Sequence, residues 1–436
     1  MNKFAASLGL VALGTTALHA VESTALNSMQ SSKPWSVAAS LRGFYDDNIN
    51  TTPTKQGSAG FDISPSVNYG LAGDQSSFNL GYQLTAKYYD NRPAGQSDNW
   101  DFTHQFNGAF AHTFSPRVNM NVNDSFVIGQ EPDMLRAGNL PFSTVQVVPG
   151  NNIVNYGNID FNIEATQLLG FNVGYGNAYY NYADDNGSLI PVLQAVSPSQ
   201  AGLLNRVDHR FHIDSQWKLR PETIGILGYL YGQTVYTADE GILILNTGQV
   251  VLSNNKNNRS HTFYAGVQHA FTPTLSGTLK GGAQYYDYYG DVTGQSPNEW
   301  SPYVMANLRY LIQTTTTANV GFSYSKSASD LAGQNGASSY VLDTEVALLY
   351  GSLTHEIVSH LVGTASATAQ YATYNGGGAS FDGQHYLFFQ LGFDLAYQFT
   401  PNFSAHGGYN FDVNDSDIPG QSYNRNRVYL GLTAAY

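Results

Sequence analysis

Between Leu387 and Gln398 the chain alternates without a break. Leu387, Phe389, Leu391, Phe393, Leu395 and Tyr397 take the odd positions, while Gln390, Asp394 and Gln398 fall among the even ones. A period of two belongs to an extended strand with two unlike faces. One such strand would suit a half-buried position in any sheet; here segments of similar length and period fill almost all of the 436 residues, and that repetition limits the fold. Arg210, His212, Asp214, Gln216 and Lys218 alternate with Phe211, Ile213, Ser215 and Trp217. Phe78, Leu80, Tyr82, Leu84 and Tyr88 oppose Asn79, Gln83, Thr85 and Lys87, and Asn119, Asn121 and Asn123 give another segment one polar side.

The segments are joined in two unlike ways. Tight turns recur as Phe114-Ser115-Pro116-Arg117-Val118, Leu219-Arg220-Pro221-Glu222-Thr223, Phe271-Thr272-Pro273-Thr274-Leu275 and Phe399-Thr400-Pro401-Asn402-Phe403, with less regular turns near Leu169, Gln313 and Glu356. Proline presets φ for a turn and cannot donate to a ladder, so it stands between strands. The other connections are long and rich in Gly, Asn and Asp, as at 46–57, 183–205, 238–258 and 412–423. Nine long loops and about eight tight turns predict an all-β chain of about 18 strands (16–18), antiparallel, with both ends on the tight-turn side.

In hydrocarbon every backbone N–H and C=O has to be paired within the protein, so a sheet crosses a membrane only when closed. A closed sheet this wide has a wet interior, which is where the polar face of each strand belongs. Aromatic residues gather at strand ends, Phe114, Trp217, Phe271, Tyr310, Phe399 and Tyr436 near tight turns and Tyr45, Trp100, Tyr285, Tyr288 and Trp300 near long loops, as two interfacial girdles. The composition agrees: 42% of residues are hydrophobic and only 12% charged, yet mean hydropathy is negative because Tyr, Gly, Asn, Ser and Thr stand in for Lys and Glu. There is no cysteine, so disulfides do not hold the fold. A net charge of −13 argues against nucleic acid as a partner. Residues 1–20 read as a signal peptide, with Lys3, an apolar stretch from Phe4 to Leu13 and small residues up to Ala20. Residues 21–34 follow as a polar periplasmic tail, and 35–436 form the transmembrane β-barrel.

The last nine residues carry Val428, Leu430, Leu432, Ala434 and Tyr436 on one face. They resemble the C-terminal signal that outer-membrane barrels present to the barrel assembly machinery. The plan as a whole resembles the β-barrel porin 2 family of Gram-negative outer membranes over most of the mature chain. Asp124-Ser125-Phe126-Val127-Ile128-Gly129-Gln130-Glu131-Pro132 is similar to that family's strand running into a Glu-Pro loop, and the Phe/Leu-x-Pro turns to its periplasmic turns. The resemblance implies a bacterial outer-membrane barrel with short periplasmic turns and long extracellular loops, set among outer-membrane lipid and lipopolysaccharide and passing small hydrophilic solutes. Some relatives are associated with exopolysaccharide export, so a polysaccharide conduit is an alternative; a structural or surface-binding barrel closed by its loops is another.

Catalytic patterns fail one by one. His355-Glu356-Ile357-Val358-Ser359-His360 has one residue too many for H-E-x-x-H, and Glu356 falls at an expected turn. His209 and His212 lie on opposite faces of a strand. His112 and His269 each stand two residues before a turn phenylalanine, which assigns them to the membrane interface. No G-x-S-x-G elbow or phosphate-binding glycine loop is present, so no enzyme, cofactor or metal is expected. The candidate pore lining mixes both signs: Arg42, Lys87, Arg210, Asp214, Lys218, Lys280, Arg309, Asp394 and Arg427. Lys280 with Arg309, and Arg210 with Lys218, are the candidate basic track. The loop 129–152, with Glu131, Asp133, Arg136 and an apolar centre at Phe142, Val145, Val147 and Val148, is the candidate constriction; an external flap is the other reading.

Overall fold

The computed structural model describes residues 34–92, 98–131, 141–142, 144–190, 195–293 and 298–436. The expected signal peptide therefore lies outside the described residues. Seven long strands come first: β1 (Trp35–Asp46), β2 (Ser58–Ala72), β3 (Ser76–Tyr89), β4 (Trp100–Ser115), β5 (Val118–Glu131), β6 (Val148–Glu164) and β7 (Leu169–Asn181). A small hairpin, β8 (Ser188–Ile190) and β9 (Ala195–Ser197), and a short helix α1 (Gln200–Leu204) lead to β10 (Arg206–Arg220) and β11 (Thr223–Tyr236). A second hairpin, β12 (Gly241–Ile244) and β13 (Val250–Leu252), ends in a 3₁₀ turn at Ser253–Lys256. Then come β14 (Asn258–Thr272), β15 (Leu275–Asp287), β16 (Glu299–Gln313), β17 (Thr316–Ser327), β18 (Val341–Val358), β19 (Leu361–Gly376), β20 (His385–Thr400), β21 (Phe403–Ser416) and β22 (Tyr423–Ala435).

All strands but the two small hairpins form one 18-stranded antiparallel sheet, and β1 pairs with β22 to close it. The closing register runs from Ala38 opposite Ala435 to Asp46 opposite Arg427. Tyr436 donates its N–H to the Val37 carbonyl at 2.8 Å and accepts from Val37 N at 3.0 Å, while its ring lies 5.9 Å from that of Trp35. At the other end of the seam Arg425 Nε donates to Asp46 Oδ2 at 2.9 Å, and both side chains are fully buried.

A hydroxyl residue before proline explains three of the four proline turns. Ser115 Oγ accepts from Arg117 N, Thr272 Oγ1 from Leu275 N and Thr400 Oγ1 from Asn402 N, so the side chain supplies the turn bond that proline cannot. The ladder slips by one residue just before these turns, between Thr113 and Ser115, Ala270 and Thr272, and Gln398 and Thr400, a bulge that adds the local twist. One expected turn is displaced. Glu356 pairs with Val362 within the ladder, and the reversal falls at Ser359 and His360, whose φ is 72°. The alternation of β18 simply continues through Val358, making this strand 18 residues long.

The two faces separate as the period demands. In β20 Phe393 and Leu395 are 51% and 52% exposed on the outside, whereas Gln390 and Asp394 are buried on the inside at 6% and 9%. Apolar clusters also form within the mouth on the long-loop side, where inner-wall residues Val127, Val154, Ala178 and Tyr180 meet Leu203, Leu204, Ile242, Leu243 and Val251 from the loops. Burying each such side chain contributes about 1.5–3 kcal/mol.

Replacing Arg425 by Met leaves the Asp46 carboxylate buried without its counter-charge, which costs about 3–5 kcal/mol. The folded, heat-modifiable gel band should then vanish at a lower temperature. Adding Asp46→Asn should recover much of the loss.

Candidate functional site

On the inner wall, β1 and β2 set Arg42 Nε 2.8 Å from Asp62 Oδ2. Across β10, β14 and β15, Asp214 takes Lys280 Nζ at 2.7 Å and the Tyr264 hydroxyl. Gly228 on β11 makes this cluster possible, since a Cβ there would stand 2.2 Å from the Tyr264 ring and 2.3 Å from Asp214 Oδ1. Asp412 on β21 joins Arg427 at 2.8 Å and Gln390 at 2.7 Å. Lys87 lies over the rings of Phe44 and Tyr89, 4.8 and 4.9 Å from their centres. Arg210, Lys218 and Arg309 are exposed on the inner face, and Asp394 is buried there. Of the candidate basic track, Lys280 is thus tied to a carboxylate while Arg210 and Arg309 face the lumen. Val428, Leu430, Leu432, Ala434 and Tyr436 all point outward and are exposed.

Of the candidate constriction, Glu131 is the last residue of β5, and Asp133 and Arg136 lie outside the described residues. The strand extends past Gly129 and β6 starts at Val148, so the connection is shorter than the expected 129–152. Its described part reaches a distant wall. Phe142 meets Phe388 of β20 edge to face at 5.0 Å, and Phe142 N donates to Gln370 Oε1 of β19 at 2.9 Å. The Tyr423 hydroxyl of β22 donates to the Val145 carbonyl, and Val147 N donates to Thr51 Oγ1 at 2.7 Å. Around the barrel β4, β3, β2, β1, β22 and β21 all stand between β5 and β20. The described residues of the connection thus rest as a strap against β19, β20 and β22 and the loop after β1.

The other long loops knit a lid. Asn335, between β17 and β18, accepts from Val196 N at 3.1 Å and Ile244 N at 3.0 Å and returns a bond to Val196 O at 2.8 Å, pinning both small hairpins. Glu240 accepts from Ser199 N at 2.8 Å and Ser199 Oγ at 2.7 Å. Lys256, fully buried, donates to the Ser329 carbonyl at 3.0 Å and lies 5.1 Å from the Tyr236 ring centre. Burial pushes its ammonium down to about 7, helped by Arg206 and opposed by Asp330 and Asp343. Burial likewise raises Asp330, against hydrogen bonds from Thr144 of the strap and Tyr374. None of Lys256, Asp330 and Asn335 was singled out in the sequence, because each sits in a polar, Asn- and Gly-rich stretch. The available signal was Ile242-Leu243-Ile244-Leu245 and Val250-Val251-Leu252, apolar runs inside a loop that otherwise reads as solvated.

A closed wall, apolar outside and ion-paired within, with long loops packed into its mouth, defines a porin-type barrel of the outer membrane. Residues 302–436 match the family model described as "Putative beta-barrel porin 2", the family that the strands and turns resemble. Among solved structures the chain is similar to OccK1 (OpdK) of Pseudomonas aeruginosa, at 12% identity and TM-score 0.45, covering 92% of this chain and 99% of that one. It is also similar to OccAB4 of Acinetobacter baumannii (9%, TM-score 0.42, 93% and 99%) and to the siderophore receptor PirA of P. aeruginosa (10%, TM-score 0.40, 92% and 80%). No curated protein matches the sequence.

Lys256 makes the lid pH-dependent. Its value in the closed lid lies below the roughly 10.4 of a lysine in water, so between about 7 and 10.4 an opened lid binds more protons than a closed one. Closure should strengthen as pH rises through that window. Amide exchange at Ile242–Leu245, corrected for intrinsic rate, should slow from pH 7 to 9, and Lys256→Met should flatten the slope.

Proposed function

We propose that the barrel is a channel for passive entry of small hydrophilic solutes, narrowed by the strap and lid at its outer mouth. The observation that carries this reading is the inner wall. Charged side chains of both signs line a sheet whose other face is apolar, so the strands exchange a lipid barrier for a hydrated surface. Arg210 and Arg309 are the cations placed to meet a passing solute, while the Arg42–Asp62, Lys280–Asp214 and Arg427–Asp412 pairs neutralise one another. The reading needs no catalytic group and no cofactor. Glu131, Asp133 and Arg136 are kept as the charged residues we propose for the constriction. The terminal strand, with its outward Val428, Leu430, Leu432, Ala434 and Tyr436, is the segment we assign to recognition by the assembly machinery.

The apolar packing of strap and lid supports a second reading, a barrel whose mouth stays shut. Reconstitution in planar bilayers separates the two. A channel gives stable conductance steps, and a shut barrel gives none. Block that depends on polymer length would instead favour the polysaccharide conduit. Phe142 is held by one aromatic contact and a side-chain amide, so Phe142→Ala with Gln370→Ala should raise single-channel conductance by about 1.5-fold or more, an order-of-magnitude expectation for a constriction held by packing. Unchanged conductance would mean that the strap does not set the bore.

A further inference from the structure

The outward face of the barrel repeats one small device near the tight-turn rim. His112 Nδ1 lies 2.7 Å from Ser76 Oγ, His269 Nδ1 2.8 Å from Thr223 Oγ1, and His355 Nδ1 2.7 Å from Thr316 Oγ1. In each case the two residues are direct partners across adjacent strands. Each histidine also stands three residues before the end of its strand, at Ser115, Thr272 and Val358. All three share a face with exposed apolar neighbours, Phe114, Phe271 and Leu353, and are themselves half-buried. Phe114 and Phe271 brace the imidazoles of His112 and His269 edge to face at 4.4 and 4.7 Å.

The height of this belt follows from a second one. On the same two strands His104 and His261 stand eight residues farther from the turn, each with its Nδ1 on a tyrosine hydroxyl, Tyr82 at 3.0 Å and Tyr229 at 2.8 Å. Eight residues at about 3.3 Å each, on a strand tilted about 40°, rise roughly 20 Å, close to the apolar band of about 25 Å in outer-membrane barrels. The two belts therefore lie toward opposite edges of the apolar band, the lower one on the side of the inner leaflet.

We propose that His112, His269 and His355 form a belt of hydrogen-bond donors that docks headgroup phosphates of the inner-leaflet phospholipids. The cross-strand hydroxyl gives its hydrogen to Nδ1, so the ring's own hydrogen sits on Nε2, on the side away from the hydroxyl. No described residue takes Nε2. A phosphodiester oxygen at the interface accepts from it, and three such points around the wall fix the height and tilt of the barrel. Serine and threonine suit the role because a hydroxyl either donates to a neutral imidazole or accepts from a charged one, so the donor toward lipid survives both states. The proposal concerns how the barrel sits in the bilayer and holds whether or not the lumen conducts.

The test is phosphorus-to-nitrogen distance measurement by solid-state NMR on the full chain, histidine-labelled with ¹⁵N, in vesicles of phosphatidylethanolamine and phosphatidylglycerol. Lipid ³¹P should dephase part of the Nε2 signal, and H112L/H269L/H355L should lose that part. The same chain in phosphate-free digalactosyl diacylglycerol vesicles, with inorganic phosphate in the buffer, should show no dephasing. Absence of Nε2 dephasing in the phospholipid vesicles overturns the proposal, as does dephasing that survives in the triple variant, or dephasing by buffer phosphate alone. Should the triple variant fail to insert, the wild-type measurement decides by itself, and H269L against wild type repeats the comparison at one site.

Discussion

The pairing of β1 with β22 is the contact on which everything else in this barrel depends. An open sheet would leave two edges, each a row of unpaired N–H and C=O groups, in hydrocarbon at several kcal/mol per group, so the wall exists closed or not at all. Closure in turn dictates the rest. It requires an even number of strands when both ends meet on the same rim, and it requires the last residue to reach the first strand, as Tyr436 does with Val37. It also turns the two faces of each strand into an outside and an inside, so the period of two becomes a division between lipid and water. The Arg425–Asp46 pair secures the same seam where it leaves the bilayer.

The outer wall keeps one polar row within its apolar band. Asp124 on β5 shares its outward face with Phe126 and Val122, yet it is exposed and takes both its hydrogen bonds from Asn155 Nδ2 at 3.1 Å. Asn155 is held in turn by Asn177 at 3.3 Å. A carboxylate facing lipid costs less when donors surround it, and Gly157 leaves room for them, because a Cβ there would stand 2.7 Å from Asn177 Oδ1 and 3.0 Å from Asp124 Oδ2. The glycine thus belongs to the polar row as much as the three side chains do.

Most of the wall was legible because alternation is a one-dimensional signal. Strand count, antiparallel order, the rim that holds the tight turns and the inward side of Arg42, Asp214 and Asp394 all follow from period and turn residues. The interior of the mouth was not legible, for a physical reason. Phe142 finds Phe388 across a large separation in sequence, as Asp214 deeper in the barrel finds Lys280 and Tyr264; neither contact leaves a periodic trace. The Glu356 turn was misplaced because a strand of regular alternation carries no mark of where it stops when no proline ends it. The histidines show both limits: His112 and His269 read as interfacial from a neighbouring phenylalanine, while the Ser76 and Thr223 hydroxyls that orient them come from other strands.

Strap and lid obey a different physics from the wall that surrounds them. Outside, an apolar side chain gains little from meeting another, since lipid is equally apolar; inside, Phe388, Leu204 and Val251 are fully buried because the alternative is water. The mouth is in effect a small soluble core assembled within the barrel, in two separate apolar clusters. The strap belongs to one, through Val145 and Phe142, and the β12–β13 hairpin belongs to the other. Asp330 ties the strap to the wall within the first of them, bonded by Thr144 and by Tyr374. Because the clusters are distinct, opening one need not unpack both.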